Sequence, residues 1–464
     1  MNGQVTWRRT YGGFGSDKAA SVRQTTDGGF IIAGSTGSFG AGGGDVYLVR
    51  VDGNGDPLWS QVYGGNGVEV GVACRELPDG FIVAATSSSG TSSGYDLWMV
   101  RTDLQGGMLW NRHYGTAEWD LCNAFAMASD GFVLGGMTYG LGHPLGAAYV
   151  VRTDLDGDTL WTRTLPFNGA SECLGLSVTL DDGVLVCGRS PGASGQDDGF
   201  ITRLDATGAH VWTTYLGGDS SDRFNSVLET SGGSVVACGT NGSNSSVDQI
   251  HLVALDAGGQ LQWEQFIGNT ADAGGAEIRP TQGGGFVLTG YNTLNLGARD
   301  MILTVTDGGG WFQYGNNFGN GSPADGLSVD TTSDGGYVVA GWVDGYGPGI
   351  RAMYVVRTDG NCQTTDLTVN PYSDPLPVNG PSVEPSTITL HPCPAHEGET
   401  VSIRTAGFED QRFTVIDASG RTVQLGTLRN GAGEFSSAGF RPGLYIVNLE
   451  GAIHLERMRL VVVE

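Results

Sequence analysis

The stretch Leu204-Asp205-Ala206-Thr207-Gly208-Ala209-His210-Val211-Trp212 returns, one repeat later, as Leu255-Asp256-Ala257-Gly258-Gly259-Gln260-Leu261-Gln262-Trp263. The aromatic residue that ends it recurs through most of the chain, at Trp7, Trp59, Trp110, Trp161, Trp212, Trp263 and Tyr314. The first interval is 52 residues and the next five are 51 residues. A period of about 50 residues indicates a repeat architecture in which each unit is one supersecondary structure.

Each unit contains two turns between apolar runs. An aspartate stands seven residues before the aromatic residue, and a glycine follows three residues later, as at Asp205 and Gly208. This pattern is typical of a hairpin turn, in which Asp bonds local amides and Gly takes a positive φ. A second turn, such as Asp27-Gly28-Gly29, precedes a strand-like run of β-branched and aromatic residues. A unit therefore holds four strands, a to d, with the aromatic residue on strand d.

Seven such units predict an all-β fold, a seven-bladed β-propeller with four-stranded blades. The chain starts with a strand d at Gln4-Val5-Thr6-Trp7, which has no strands a to c before it. The seventh unit, from about Asp325 to Asp359, has strands a to c but no strand d. We therefore expect the N-terminal strand to close the last blade, which removes the open sheet edges. The propeller is predicted to span residues 1–362.

The composition narrows the choice of partners. The chain has 49 acidic and 24 basic residues and a formal charge of −25. This balance argues against nucleic acid, whose phosphates require a basic surface, and against anionic membranes. No apolar run approaches the ~20 residues that cross a bilayer. No secretory signal precedes the first strand, as expected of a processed, recombinant or truncated chain.

The repeat stops after Asp359 and the composition changes. Residues 363–385 are rich in Pro, Ser, Thr and Asn, which predicts an extended linker. Residues 386–464 contain short β-branched runs such as Val401–Arg404 and Arg412–Asp417, which predict a small β-sandwich.

Four motifs in this last segment carry a resemblance. They are His391-Pro392-Cys393-Pro394-Ala395, Phe413-Thr414-Val415-Ile416-Asp417-Ala418-Ser419-Gly420-Arg421, Pro442-Gly443-Leu444-Tyr445-Ile446-Val447 and Arg459-Leu460-Val461-Val462. In this order at the chain end, they resemble the type A C-terminal sorting domain of the Bacteroidetes type IX secretion system. Cys393 stands where that family more often has asparagine. The motif residues are Pro392, Pro394, Ala395, Asp417, Gly420, Arg421, Pro442, Gly443 and Tyr445.

The resemblance implies a secreted or outer-membrane surface-attached protein. It implies export by the type IX secretion machinery and removal of the domain by a surface sortase. The cargo would then be released or attached to lipopolysaccharide. A plain accessory sandwich domain is the alternative.

One acidic residue precedes strand a in every unit. The set comprises Asp17, Glu69, Asp120, Glu172, Asp222, Asp272 and Asp325. Because strand a is innermost in a propeller, we expect these seven to surround the mouth of the central channel. Two interpretations remain open: each caps its own loop, or together they bind a cation or amine. Calcium would suit carboxylates and backbone carbonyls, and no other cofactor or metal is predicted.

Other repeated residues are expected to be structural. The repeated tryptophan is predicted to pack between blades. Arg50, Arg101, Arg152, Arg203 and Arg357 are predicted to pair with carboxylates. Trp119 breaks the repeat and lies beside Asp120 among the longer d–a and b–c loops, where a sugar contact is an alternative.

The favoured function is binding or adhesion at the cell surface, with a glycan or a protein as ligand. Leu204–Trp212 and Leu255–Trp263 also resemble the quinoprotein propeller repeat, but only in a docking turn that non-catalytic scaffolds share. No complete catalytic motif occurs in the sequence, so enzymatic activity is the less favoured hypothesis. An extracellular propeller enzyme acting on polysaccharide and a purely structural surface protein remain as alternatives.

Overall fold

A computed structural model describes residues 6–364 except 91–93, 166, 168, 269, 295–297, 320 and 348, and also residues 370–372, 389–391, 395–396, 398–404, 411–417, 421–429, 432–450 and 455–463. The chain forms two compact units, Met1–Asn379 and Gly380–Glu464. Within the described ranges, no helix has the length and apolarity needed to span a bilayer.

The first unit is a ring of seven sheets, in which strands a to d of each blade pair antiparallel. The N-terminal strand is β1 (Trp7–Tyr11). The innermost strands a are β2 (Asp17–Gln24), β6 (Glu69–Leu77), β10 (Asp120–Met127), β14 (Glu172–Val178), β18 (Asp222–Glu229), β22 (Ala273–Pro280) and β26 (Ala324–Thr331). Strands b are β3 (Phe30–Thr36), β7 (Gly80–Ser87), β11 (Gly131–Thr138), β15 (Val184–Pro191), β19 (Val235–Asn241), β23 (Phe286–Asn292) and β27 (Tyr337–Asp344).

The outer strands complete the blades. Strands c are β4 (Asp45–Val51), β8 (Asp96–Asp103), β12 (Ala147–Asp154), β16 (Asp197–Leu204), β20 (Gln249–Leu255), β24 (Asp300–Thr306) and β28 (Arg351–Thr358). Strands d are β5 (Pro57–Tyr63), β9 (Met108–Tyr114), β13 (Thr159–Leu165), β17 (His210–Leu216), β21 (Leu261–Ile267) and β25 (Phe312–Phe318), with β1 as the seventh. The predicted seven-bladed propeller is confirmed.

The ring closes through β1, as predicted. This strand pairs antiparallel with β28, from Trp7 opposite Arg357 to Tyr11 opposite Met353. Asn370–Tyr372 (β29), in the segment predicted as a linker, adds a fifth strand parallel to β1. The seventh blade is therefore built from both ends of the propeller unit.

The middle strands explain why the repeat contains unbroken apolar runs. Strands such as β4, β7, β11 and β20 are buried along their whole length, because neighbouring blades cover both of their faces. The outer strands β9, β13 and β21 are largely exposed. The blades are thus held together by apolar contacts between adjacent sheets.

The repeated tryptophan packs between blades, as predicted. Trp161 Nε1 donates a hydrogen bond to Ala206 O at 3.1 Å, in the c–d turn of the next blade. Gly208 in that turn has φ +78°, and a Cβ there would lie 3.0 Å from the Trp161 ring. Glycine is needed at this position both for the left-handed backbone and for the approach of the indole.

The repeated arginines pair with carboxylates, as predicted. Arg50 Nη2 lies 2.5 Å from Asp27 Oδ1, and Arg357 Nη2 lies 2.9 Å from Asp334 Oδ2. The acceptors are the aspartates of the a–b turns, so each pair links strand c to the turn between strands a and b.

The second unit contains two small sheets. One consists of β30 (Thr389–His391), β32 (Thr400–Arg404) and β35 (Ala432–Ser436). The other consists of β31 (Ala395–His396), β33 (Gln411–Asp417), β34 (Thr422–Leu428), β36 (Gly443–Glu450) and β37 (Leu455–Val463). Residues of both sheets, including Val401, Phe413 and Phe435, share one core. The predicted small β-sandwich is confirmed.

Candidate functional site

Four of the seven predicted channel-mouth acids occupy one register of the inner strands. Every inner strand has a one-residue bulge, and Asp17, Glu69, Asp120 and Asp222 each stand two residues before it. All four are at most 1% exposed. Each accepts a hydrogen bond from the backbone N–H four residues earlier, at 2.6–2.9 Å. These four carboxylates therefore cap their own d–a loops.

The other three acids lie in different registers. Glu172 and Asp325 stand one residue before the bulge, and Asp272 stands three residues before it. A shift of one residue turns a side chain to the opposite face of a strand. Glu172 accepts hydrogen bonds from Arg189, and Asp325 pairs with Arg299 at 3.1 Å and lines the channel. Asp272 is exposed. The structure thus brings four acids into one layer and separates three from it.

Three of the capping acids face a second carboxylate from the preceding blade. The pairs are Asp45 with Glu69, Asp96 with Asp120, and Asp198 with Asp222. Burial, and then the charge of the partner, raise the pKa of both Asp45 and Asp96 to about 6. Burial and the neighbouring charge of Asp222 also raise the pKa of Asp198, so in each pair one carboxyl group holds its proton more tightly than an isolated aspartate does.

The acid pairs bear on the calcium prediction. Asp120 is fully buried, and its Oδ1 has no hydrogen-bond partner within the described part of the chain. No group of three or more His, Cys, Asp or Glu residues in that part is placed to hold a metal ion. Calcium needs six to eight oxygen ligands, so two carboxylates would require backbone oxygens and water to complete a site. Calcium binding stays a prediction.

The central channel contains a cavity of about 560 Å³ that is lined by inner strands of all seven blades. Glu277 on β22 accepts several of the hydrogen bonds made between side chains in the channel. It accepts hydrogen bonds from Arg23 Nη2 at 2.5 Å, Arg279 Nη2 at 2.8 Å and Ser328 Oγ at 2.8 Å. Burial opposes its ionisation, but the charges of Arg23 and Arg279 outweigh burial and lower the pKa of Glu277.

An open groove of about 680 Å³ lies on the face that carries the d–a and b–c loops. Its walls are Glu118 and Trp119 from one loop and residues 139–144 from the b–c loop of the third blade. Trp119 is 54% exposed. Its ring meets the Tyr95 ring edge-on at a centroid distance of 5.2 Å. This contact supports the indole, while about half of its surface stays exposed to solvent.

The b–c loop that forms the other wall is fixed by turns. His143 N donates to Gly140 O at 3.0 Å, and Gly146 N donates to His143 O at 2.9 Å. Tyr139 N donates to Trp119 O at 2.8 Å, which ties the two walls together. Leu141 has φ 54° and is 57% exposed. A non-glycine residue in this left-handed conformation is a strained feature of the kind that clusters at binding sites.

The sorting-motif residues that the structure describes occupy turns and a strand. Asp417 N donates to Arg421 O at 3.0 Å, and Arg421 N donates to Asp417 Oδ1 at 3.1 Å. Tyr445 Oη donates to Arg441 O at 2.8 Å, and its ring stacks on Phe440 at 4.8 Å. Ala395 begins β31, Gly443 begins β36 and Pro442 precedes it. Pro392, Pro394 and Gly420 lie outside the described residues.

Comparison with known proteins identifies no family for this chain. No family model and no curated protein matches the chain. Among solved structures, Drosophila Semaphorin 2a is 8% identical over 98% of this chain and 96% of that chain, with a TM-score of 0.49. The Neurospora crassa Pan2 WD40 domain is 11% identical over 75% and 91%, with a TM-score of 0.46. PorZ, a surface component of the type IX secretion system of Porphyromonas gingivalis, is 10% identical over 97% and 74%, with a TM-score of 0.39. Similarity this low transfers no function or partner.

Proposed function

We propose that this chain is an extracellular binding protein that holds a glycan in the groove between Trp119 and residues 139–144, called here the loop-face groove. The observation that carries the proposal is the exposed Trp119, which is braced by Tyr95 and faces a loop fixed by its own turns. An aromatic face packs against the apolar face of a sugar ring, while nearby polar groups bind its hydroxyls. Glu118 and His143 line the groove, and their carboxylate and imidazole groups would bind the hydroxyls of the sugar.

A glycan array with purified protein tests this proposal. We expect binding to a restricted set of glycans that falls about tenfold or more in Trp119→Ala, because a central aromatic contact carries much of a binding energy. Trp311→Ala is the matched control, since Trp311 is 63% exposed but lies in a c–d turn on the other face. Repeating the array with calcium and with a chelator tests the calcium prediction.

The possible results separate the alternatives. Equal loss in both tryptophan variants would place the binding surface elsewhere. Hydrolysis of a polysaccharide would favour an enzyme, and binding only to protein would replace the glycan as ligand. No binding to any glycan or matrix protein would favour a structural role.

We propose further that Ser386–Glu464 is the export signal of the type IX secretion system. The order of the four motifs supports this, together with the segregation of the segment into a compact β unit. In a host with this pathway, the full chain should reach the surface or the medium. A chain lacking residues 386–464 should remain in the periplasm. Unchanged surface display of the shortened chain would refute the proposal.

A further inference from the structure

In one layer of the inner strands, the charged residues lie on one side of the central channel. Arg223 of blade five also lines the channel, but in a different layer. Two residues after the bulge, the inner strands of blades six, seven, one and two present Arg279, Asp330, Arg23 and Arg75. The same position in blades three, four and five holds Ala126, Ser177 and Leu228. One wall of this layer is therefore charged, and the opposite wall is small or apolar.

The carboxylates of the charged wall are already engaged. Glu277 accepts hydrogen bonds from Arg23, Arg279, Ser328 and, at 2.9 Å, the backbone N–H of Val329. Asp330 accepts the backbone N–H of Gln24 at 3.0 Å. Three guanidinium groups thus face two carboxylates, which leaves one positive charge without a counter-charge.

Arg75 is the guanidinium that carries this excess. Its Nη1 donates to Cys74 O at 2.7 Å, and its Cζ lies 6.0 Å from the centroid of the Phe125 ring. No carboxylate of the described residues lies within ion-pair distance of it. Burial, followed by the charges of Arg23 and Arg279, lowers the pKa of Arg75 to about 9. An arginine in this setting is stabilised by any anion that reaches it.

We propose that the channel binds a small oxyanion, a carboxylate or phosphate group, at Arg75. The planar guanidinium offers parallel N–H donors that match either group. The cavity beside it is open to water, and the uncharged wall of Ala126, Ser177 and Leu228 leaves room for the rest of the ligand. This site is separate from the loop-face groove and does not depend on the glycan proposal.

Titration with inorganic phosphate and, separately, with acetate at constant ionic strength tests the proposal. ³¹P NMR line broadening follows phosphate, and calorimetry follows both anions. We expect saturable binding of at least one of them that weakens tenfold or more in Arg75→Gln. Arg112→Gln is the matched control, because Arg112 is exposed and its Nη1 also donates to the preceding carbonyl, at 3.2 Å. The anion that binds identifies the ligand group.

A second variant keeps the charge of Arg75 and blocks its site. Ala126→Glu places a tethered carboxylate on the neighbouring inner strand at the same level, and we expect it to abolish binding of the added anion. Circular dichroism checks that each variant is folded. Absence of saturable binding in the wild type, or equal binding in Arg75→Gln and wild type, would overturn the proposal.

Discussion

Two departures from the repeat meet at one blade interface. Tyr314 replaces the tryptophan on β25, and Cys362 replaces the glycine in the turn that follows β28. At the preceding interface, a Cβ on Gly310 would lie 2.6 Å from the Trp263 ring, so no side chain fits there. Cys362 nevertheless has φ 61° and is fully buried. Tyr314 Oη donates to Gly360 O at 3.0 Å, so a phenol, smaller than an indole, faces the turn that carries Cys362.

Restoring the repeat residues one at a time should therefore be unfavourable. We expect Tyr314→Trp to destabilise the protein by about 1–3 kcal/mol, because the indole overpacks against Cys362. In the double variant with Cys362→Gly, the indole should fit, and the loss should be smaller than the sum of the two single losses. Urea unfolding of the four proteins gives the coupling energy. Additive effects would show that the two substitutions are unrelated.

At the scale of the element, the pairs of acids between strands c and a make the stability of the folded protein depend on pH. The folded pKa of Asp45 is about 6, above its unfolded value. The folded state therefore binds more protons than the unfolded state between about pH 4 and pH 6. The stability that protonation of Asp45 contributes is present below that range and is lost as the pH rises through about 6.

The substitution Asp45→Asn removes the loss of stability that deprotonation of Asp45 causes. We expect it to stabilise the protein by about 1–3 kcal/mol at neutral pH and by little below about pH 4, because an amide can bond Glu69 without repulsion. Chemical unfolding across this pH range measures the difference from wild type. Asp27→Asn is the control of opposite sign, since Arg50 helps to lower the pKa of Asp27 and the variant loses that ion pair. A pH-independent difference for Asp45→Asn would contradict the expectation.

The inner strands show which features could be predicted from the sequence and which could not. The period of Trp7 to Tyr314 was enough to predict the blades and the closing strand, because each signal lies within one repeat. The bulge in every inner strand is not visible in composition, so Glu172, Asp272 and Asp325 could not be separated from the four capping acids. The contact of Arg23 with Glu277 spans 254 residues and depends on ring closure. Such contacts appear only when the blades are assembled.

At the scale of the whole molecule, one short strand holds the ring closed. Trp7 and Tyr11 of β1 are each 1% exposed, and the strand covers the edge of β28. A chain lacking residues 1–11 should lose at least about 4 kcal/mol of stability, because two large aromatic side chains leave the core. The uncovered edge of β28 should also promote aggregation.

Urea unfolding and light scattering of the shortened chain measure both effects. Adding a synthetic peptide of residues 1–16 should restore much of the lost stability, since it can pair with β28 in the register of the intact chain. A shortened chain as stable as the wild type would mean that ring closure contributes little.

The parallel pairing of β29 with β1 has a mechanical consequence. The first residue of β1 lies beside the last residues of β28, so tension between these two ends would open their hydrogen bonds one at a time, like a zipper. Asn370–Tyr372 runs parallel to β1, opposite Arg9 to Tyr11. Tension applied beyond residue 372 therefore loads the bonds between β1 and β29 together, in shear. The three residues of β29 therefore change the load on the closing strand from unzipping to shear when the chain is pulled beyond residue 372.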